Sequence, residues 1–309
     1  MQCRSIFAVS LVALTLTAAA QLPDKPPARP RITGISHLAE YSADPTATEH
    51  FYVDVIGAVK RTDPENPKGV RYAVSSTQFI EVLPLPADSG VNRLDHTAWN
   101  TDDAEAMRRY LGAKAWKIPS QVTKSSDGSR WFTVKDPEGN KVEFVQLPET
   151  LKPLAAPNAI GHHIIHVGFL VHDRSAEDTF YRDLLGFKPY WYGGMTDAKV
   201  EWVSQQAPDS HDWLEYMLNG GPSGSTMSQH QLGVLDHLSI GEDSVPEAFK
   251  MLAGANRLGG KHDDAPKIGK DGKYQFNMYD PDEIRLELMN FHATEKPCCS
   301  SFTADDPAE

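Results

Sequence analysis

Hydrophobic and polar positions change period along this chain at regular intervals. RITGISHLAEYS, from Arg31 to Ser42, alternates as a half-buried strand does. DPTATEHFYVDVIGA, from Asp44 to Ala58, follows with helical spacing: Asp44 is placed to cap, Pro45 to take the first helical position and Gly57 to end the helix. VRYAVSS and TQFIEVLPL then alternate again. The succession returns three times. A second unit runs NRLDHTAWN, the helix TDDAEAMRRYLGA with acids in its first turn and Gly112 near its end, then SRWFTVKDPEGNKVEFVQL as strand, turn and strand. A third runs HHIIHVGFLVHD, RSAEDTFYRDLLGF, VEWVSQQ and DWLEYMLNG, and a fourth VLDHLSIGE, SVPEAFKMLAGA and YQFNMYDPDEIRLELMNF.

Strand, helix and two or three strands, repeated, predict an α+β fold built from internal repeats. The Pro- and Ala-rich ETLKPLAAPNA separates the second unit from the third. Two tandem domains, 31–148 and 160–292, are therefore expected, with a linker at 149–159 and a polar tail at 293–309.

Within the repeat, two residue types keep their place. Each opening strand has a histidine: His37, His96, His166, His237. Each closing strand has a glutamate: Glu81, Glu143, Glu215, Glu287. A lone strand His or Glu is usually only a satisfied or solvated polar group. Only 12 His occur in 309 residues, however, and four of them recur at one point of the unit. Strand alternation puts Glu143 on the face away from Val142 and Phe144, and Glu287 away from Leu286 and Leu288. If helices cover the apolar face, two His and two Glu of each half converge on the concave side. Imidazole with carboxylate suits a divalent metal, Zn, Mn, Fe, Co or Ni, with room for water.

Net charge narrows the partners. At −12, with a pI near 5.4, the chain is a poor ligand for nucleic acid or an anionic membrane surface. Residues 1–20 pair Arg4 with an apolar run and Ala18-Ala19-Ala20, the three parts of a signal peptide, and a Pro-rich leader follows at 21–30. An exported, periplasmic or secreted protein without membrane insertion is expected. Three cysteines make no disulfide framework: Cys3 lies in the signal segment, and Cys298 and Cys299 are adjacent in the tail, where exposed thiols are expected.

FYVDVIGA, FYRDLLGF, DPEGNKVEF and DPDEIRLEL, with the His and Glu positions, resemble the vicinal oxygen chelate superfamily over 31–292. That superfamily includes glyoxalase I, bleomycin- and fosfomycin-resistance proteins and type I extradiol dioxygenases. The resemblance implies four βαβββ units in two tandem domains with curved, mostly antiparallel sheets. It implies metal ligation by His37, Glu81, His96 and Glu143 in one half and by His166, Glu215, His237 and Glu287 in the other. A glyoxalase-like isomerase or lyase acting on a small oxygenated molecule through neighbouring oxygens is the leading expectation, with a Glu at the metal as base. The second half is ranked first, with Glu215 and Glu287 as catalytic candidates, because Trp213 and Met217 share the face of Glu215 and make a drier wall. Trp191, Tyr192, Trp202 and Tyr216 add aromatic surface nearby.

An Fe(II) extradiol dioxygenase is the alternative, through His166, His237 and Glu287. Against it, Asn277 stands where that signature has Tyr, and Ile268, Gly269 and Lys270 stand where it has His. A non-enzymatic drug- or metabolite-binding protein is the third possibility. No clear basic cluster is visible for the carboxylates of a thiol cofactor. Glu283 stands where the related turn has Gly139; a left-handed Glu is strained, so the fourth unit's hairpin is expected to differ slightly from the second's.

Overall fold

The computed structural model describes residues 27–221 and 226–308. The expected signal segment 1–20 and the first part of the leader lie outside the described residues. The first half contains β1 (Ile32–Ser42), β2 (Val59–Thr62), β3 (Val70–Ala73), β4 (Phe79–Pro84), β5 (Leu94–Thr101), β6 (Thr123–Lys124), β7 (Arg130–Lys135) and β8 (Lys141–Gln146). These form one sheet in the order β2-β3-β4-β1-β5-β8-β7-β6. The second half repeats it with β9 (Ile164–Leu170), β10 (Lys188–Gly193), β11 (Trp202–Gln206), β12 (Trp213–Met217), β13 (His237–Glu242), β14 (Lys261–His262), β15 (Lys267–Ile268), β16 (Tyr274–Tyr279) and β17 (Arg285–Asn290). Its order is β10-β11-β12-β9-β13-β17-β16-β14, with β15 paired to β16. Both sheets are mostly antiparallel. The exceptions are β1–β4, β5–β8, β9–β12 and β13–β17, where the opening strand of a unit lies parallel to its closing strand.

Helices cover the apolar faces. Asp44 caps the first as expected, accepting from Thr46 N and Ala47 N, but Pro45–Glu49 then widens into a π-helical turn at His50–Val55. The third unit does the same, from Arg174–Asp178 into Thr179–Leu184. The wider turn lets two consecutive aromatics, Phe51-Tyr52 and Phe180-Tyr181, both enter the core. One apolar cluster runs through both halves, from Leu38, Tyr52 and Phe144 to Phe169, Tyr181 and Leu288.

The halves are joined by polar groups. The Gln78 amide donates to the carbonyls of Ile35 (3.2 Å) and Ile164 (2.9 Å) and accepts from Ile164 N (2.8 Å), tying β1 to β9. The acid at the third place of each Asp-Pro turn reaches across: the Asp282 carboxylate accepts from Ala43 N (2.9 Å) and Arg93 Nε (2.9 Å), and that of Glu138 from His172 N (2.8 Å) and Asp173 N. Glu283 has φ +69°, matching the left-handed turn of Gly139 at +94°.

The first acid of each turn meets a buried glutamate of the other half. Asp280 faces Glu40 beside Tyr52, and Asp136 faces Glu177 beside Tyr181. Burial and the neighbouring carboxyl push Glu177 up to about 9 and hold Glu40 well above its usual range. Each pair is stable only while it keeps a proton.

The tail is docked. Phe302 packs on Tyr190, Thr303 N donates to the Tyr190 carbonyl (3.0 Å), and Asp306 pairs at 2.7 Å with the fully buried Lys273 ammonium. Cys298 and Cys299 are half-buried and joined to each other by a disulfide, not free and exposed as the sequence suggested. The Lys270 carbonyl accepts from Cys298 N, which holds this stretch down.

Two tests follow from these contacts. A carboxyl raised on folding stabilises below its unfolded pKa, and that contribution is lost as pH rises through the folded value. For Glu177 the window runs from about 4.5 to about 9. Urea midpoints should therefore be lower at high pH than at pH 5, and Glu177→Gln should reduce that difference; an unchanged difference would exclude the shared proton. Asp306→Asn leaves Lys273 without its counter-charge and should cost about 3 kcal/mol, with adding Lys273→Met recovering most of the loss.

Candidate metal centres

The four inner strands of each sheet carry one ligand-type side chain apiece. They are Glu81, His37, His96 and Glu143 on β4, β1, β5 and β8, and Glu215, His166, His237 and Glu287 on β12, β9, β13 and β17. Val142, Phe144, Leu286 and Leu288 point into the main core, so the intervening glutamates face the concave side. Small neighbours leave space for the rings. His37 lies across from Ala98, and His96 from Ala39. His237 lies across from Gly168, where any Cβ would overlap the imidazole. The residue paired with the first His of each half is aromatic and stacks on it: Phe79 on His37 at 4.4 Å, Trp213 on His166 at 4.7 Å.

The structure brings each set of four together. In the first half His37 Nε2 and His96 Nε2 are 3.0 Å apart; Glu81 Oε2 lies 3.7 and 3.6 Å from them and Glu143 Oε1 3.7 and 3.9 Å. In the second half the His166 and His237 Nε2 atoms are 3.1 Å apart, with Glu287 Oε2 3.3 Å from His166 and Glu215 Oε2 3.3 Å from His237. Two donors bonded at about 2.1 Å to one tetrahedral or octahedral cation lie roughly 3.0–3.4 Å apart. The observed spacings fit a site slightly relaxed from that.

Hydrogen bonding supports the same reading. Asp95 Oδ2 lies 2.7 Å from His96 Nδ1, and the Leu235 carbonyl 2.8 Å from His237 Nδ1. Both oxygens are acceptors, so Nδ1 carries the proton and Nε2 is left a lone pair aimed at the partner ring. Glu81 Oε2 and Glu143 Oε1 are buried and find no hydrogen-bond donor among the described residues. Lone pairs and carboxylates facing one another in a buried cup are a set that could hold a cation. Without one, burial, then Asp63 and Glu65, push Glu81 up to about 9; burial, then Glu65 and Glu81, raise Glu143; and burial, then His96 and Arg71, lower His37. In the second cup burial, helped by Arg285, lowers His237 to about 4. Burial also opposes charge on Glu287, but its hydrogen bond to His166 and the Arg285 charge outweigh this and hold it near 2.

Some partners were not legible in the repeat. Glu65 comes within reach of His37 and Glu143 from the β2–β3 loop, and Arg71 bridges it at 2.8 Å and Asp63 at 3.0 Å. Histidines outside the repeat are engaged elsewhere: His163 with Asp212 at 2.7 Å, His262 with the Asp263 carbonyl, His172 with the Gly221 carbonyl.

The two cups differ in what fills them. In the first, a cavity of about 520 Å³ reaches Glu81, His96 and Glu143 and is walled by Ile118, Trp131 and Lys117. In the second, the wall expected to be a dry substrate surface is packed by the protein itself. Tyr190 lies 5.1 Å from Trp213, Phe302 lies on Tyr190, and the Lys273 ammonium sits 5.1 Å from the Trp213 ring. Trp191 and Trp202 belong to this cluster, whereas Tyr216 faces the main core and Tyr192 is exposed.

The model of the Glyoxalase/Bleomycin resistance protein/Dioxygenase superfamily matches residues 34–144 and again 163–288. The chain belongs to that superfamily. Solved structures show the same fold across both halves. The Mn(II)-bound glyoxalase from Novosphingobium aromaticivorans is similar at TM-score 0.65 and 18% identity, covering 88% of this chain and 86% of that one. A variant of homoprotocatechuate 2,3-dioxygenase from Brevibacterium fuscum reaches TM-score 0.64 at 15% identity, covering 92% and 76%. The 2,2',3-trihydroxybiphenyl 1,2-dioxygenase from Sphingomonas wittichii strain RW1 reaches 0.59 at 18%, covering 84% and 90%. No curated protein matches the sequence. No helix among the described residues is long and apolar enough to cross a membrane.

The superfamily's paired cups set up a direct count. His37→Ala with His96→Ala, and His166→Ala with His237→Ala, should each remove about one divalent metal equivalent per chain, because two remaining carboxylates bind too weakly. Metal content unchanged by both pairs would leave the eight residues purely structural.

Proposed function

We propose that this protein is a divalent-metal-dependent isomerase or lyase of glyoxalase type, acting on a small molecule through two neighbouring oxygens. The observation that carries it is the first cup: four ligand-type side chains, two of them carboxylates with an unpartnered oxygen, three of which line a cavity large enough for a substrate. His37, His96, Glu81 and Glu143 would hold the metal, which would act as a Lewis acid on the substrate oxygens.

The chain's own residues supply the proton chemistry. Glu81 and Glu143 are each held at their outer oxygen by a neutral donor, Asn66 Nδ2 at 3.3 Å and Thr133 Oγ1 at 3.2 Å. Either can swing without breaking an ion pair, and can then take a proton from carbon beside a carbonyl and return it to the neighbouring atom. Ile118, Pro119 and Trp131 line the same cavity and limit the water beside that proton. The second set, Glu215 and Glu287 included, is assigned to holding a metal beside the docked tail, because the Trp213 wall next to it is filled by Tyr190 and Lys273. This moves the expected chemistry from the second half to the first.

A dioxygenase has one feature in its favour: His166, His237 and Glu287 make a two-His, one-carboxylate group. Glu215 is a fourth donor there, 3.3 Å from His237, and speaks against it.

The test uses metal-loaded protein in D₂O. Exchange of the proton beside the carbonyl of small α-hydroxy ketones should be seen by NMR. Glu143→Gln should slow it at least about 100-fold with the fold intact, and His166→Ala with His237→Ala should leave it largely unchanged. Oxygen uptake with catechols and no exchange would favour the dioxygenase instead. Neither activity would leave the binding-protein reading.

A further inference from the structure

We propose that the first cup selects anionic substrates: molecules with chelating oxygens at one end, an apolar body, and a carboxylate or similar anion held by Lys117 and Lys135. The proposal rests on the chemistry assigned to the first centre and names what that centre accepts. It starts from the charges around the cavity. Of the acids on its wall, Asp95 and Glu65 are matched by cations, and Glu81 and Glu143 are assigned to the metal. Asp95 pairs with Lys141 at 2.6 Å, with His96 and with Tyr41; Glu65 pairs with Arg71; Glu81 and Glu143 face the two imidazoles. Lys141 is therefore matched. Lys117 and Lys135 also line the cavity, are exposed, and make no ion pair among the described residues. Two unmatched cations at one mouth matter in a chain of net charge −12, whose general field repels anions.

The same cavity has apolar lining. Ile118 and Pro119 come from the segment after the second helix, and Trp131 from β7, where its indole is fixed by a 3.0 Å bond to Ser125 Oγ. About 520 Å³ holds a ligand of roughly 15 non-hydrogen atoms at about 30 Å³ per water-sized group, enough to span from floor to mouth. Lys117 lies in a loop and Lys135 ends a strand, so no sequence cluster announces them.

The experiment uses two hydroxamates of equal chain length, which chelate through neighbouring oxygens. Suberic acid monohydroxamate carries a terminal carboxylate, and octanohydroxamate ends in methyl. Binding to the metal-loaded full-length protein is measured by calorimetry, with metal content determined before and after. The carboxylate probe should bind about tenfold more tightly at low ionic strength, with the gap shrinking as salt is added. Lys117→Gln with Lys135→Gln should abolish the preference while leaving metal content and octanohydroxamate affinity unchanged. Equal affinity of the two probes, or a preference surviving the double substitution, overturns the anion site while leaving the metal reading intact. Failure of both probes to bind protein that retains its metal overturns the chelating reading itself.

Discussion

The approach of two imidazole Nε2 atoms to 3.0 and 3.1 Å, with buried carboxylate oxygens beside them, is the constraint around which each half is built. Such a grouping is unfavourable by itself, since lone pairs and negative charges are collected where they cannot be solvated. A divalent cation turns every one of these repulsions into attraction. The sheet order follows from the need to present the donors together. Four adjacent strands give one ligand each, and in the second half the closest contacts run between units, Glu287 to His166 and Glu215 to His237. Alanine or glycine opposite the rings makes room, and an aromatic on the neighbouring strand stacks on the first His of each set.

The repeated Asp-Pro-acid turn serves the joint between the halves. Its third residue, Glu138 or Asp282, accepts amides at the start of a helix in the opposite half, while its first residue, Asp136 or Asp280, meets a buried glutamate there. A local turn motif has thus become an interface on both sides of a pseudo-twofold arrangement. The cost is two buried carboxyl pairs, each tolerable only while it retains a proton.

Symmetry stops at the concave faces. Beside the second cup, Trp213, Tyr190 and Lys273 are packed under the tail, whose Asp306 neutralises the buried ammonium, while the Glu215 side chain keeps 15% exposure. The first keeps an open cavity with two lysines at its mouth. One ligand set has thus been kept twice in two different surroundings, and substrate access separates them more than ligand chemistry does.

The periodicities of the chain determined the four units, their strand and helix order, and the eight recurring His and Glu positions. Strand alternation and repeat spacing are local properties, and a face assignment needs nothing beyond the period of two. The Asp44 cap was legible for the same reason, whereas the fourth hairpin keeps the left-handed turn at Glu283 that the sequence suggested would be altered. The π-helical turns were not, because the wider spacing serves burial of paired aromatics against a sheet the local sequence does not contain. Glu65, Lys117 and Lys135 were also hidden, since each occurs once and lies in a loop or at a strand end. The docking of the tail and the Cys298–Cys299 link depended on a surface assembled from β10, β12 and the turn before β16. That the tail and Lys273 pack beside the second cup and not the first was decided only in three dimensions, because such packing depends on side chains distant in sequence reaching one place, and no local pattern records that distance.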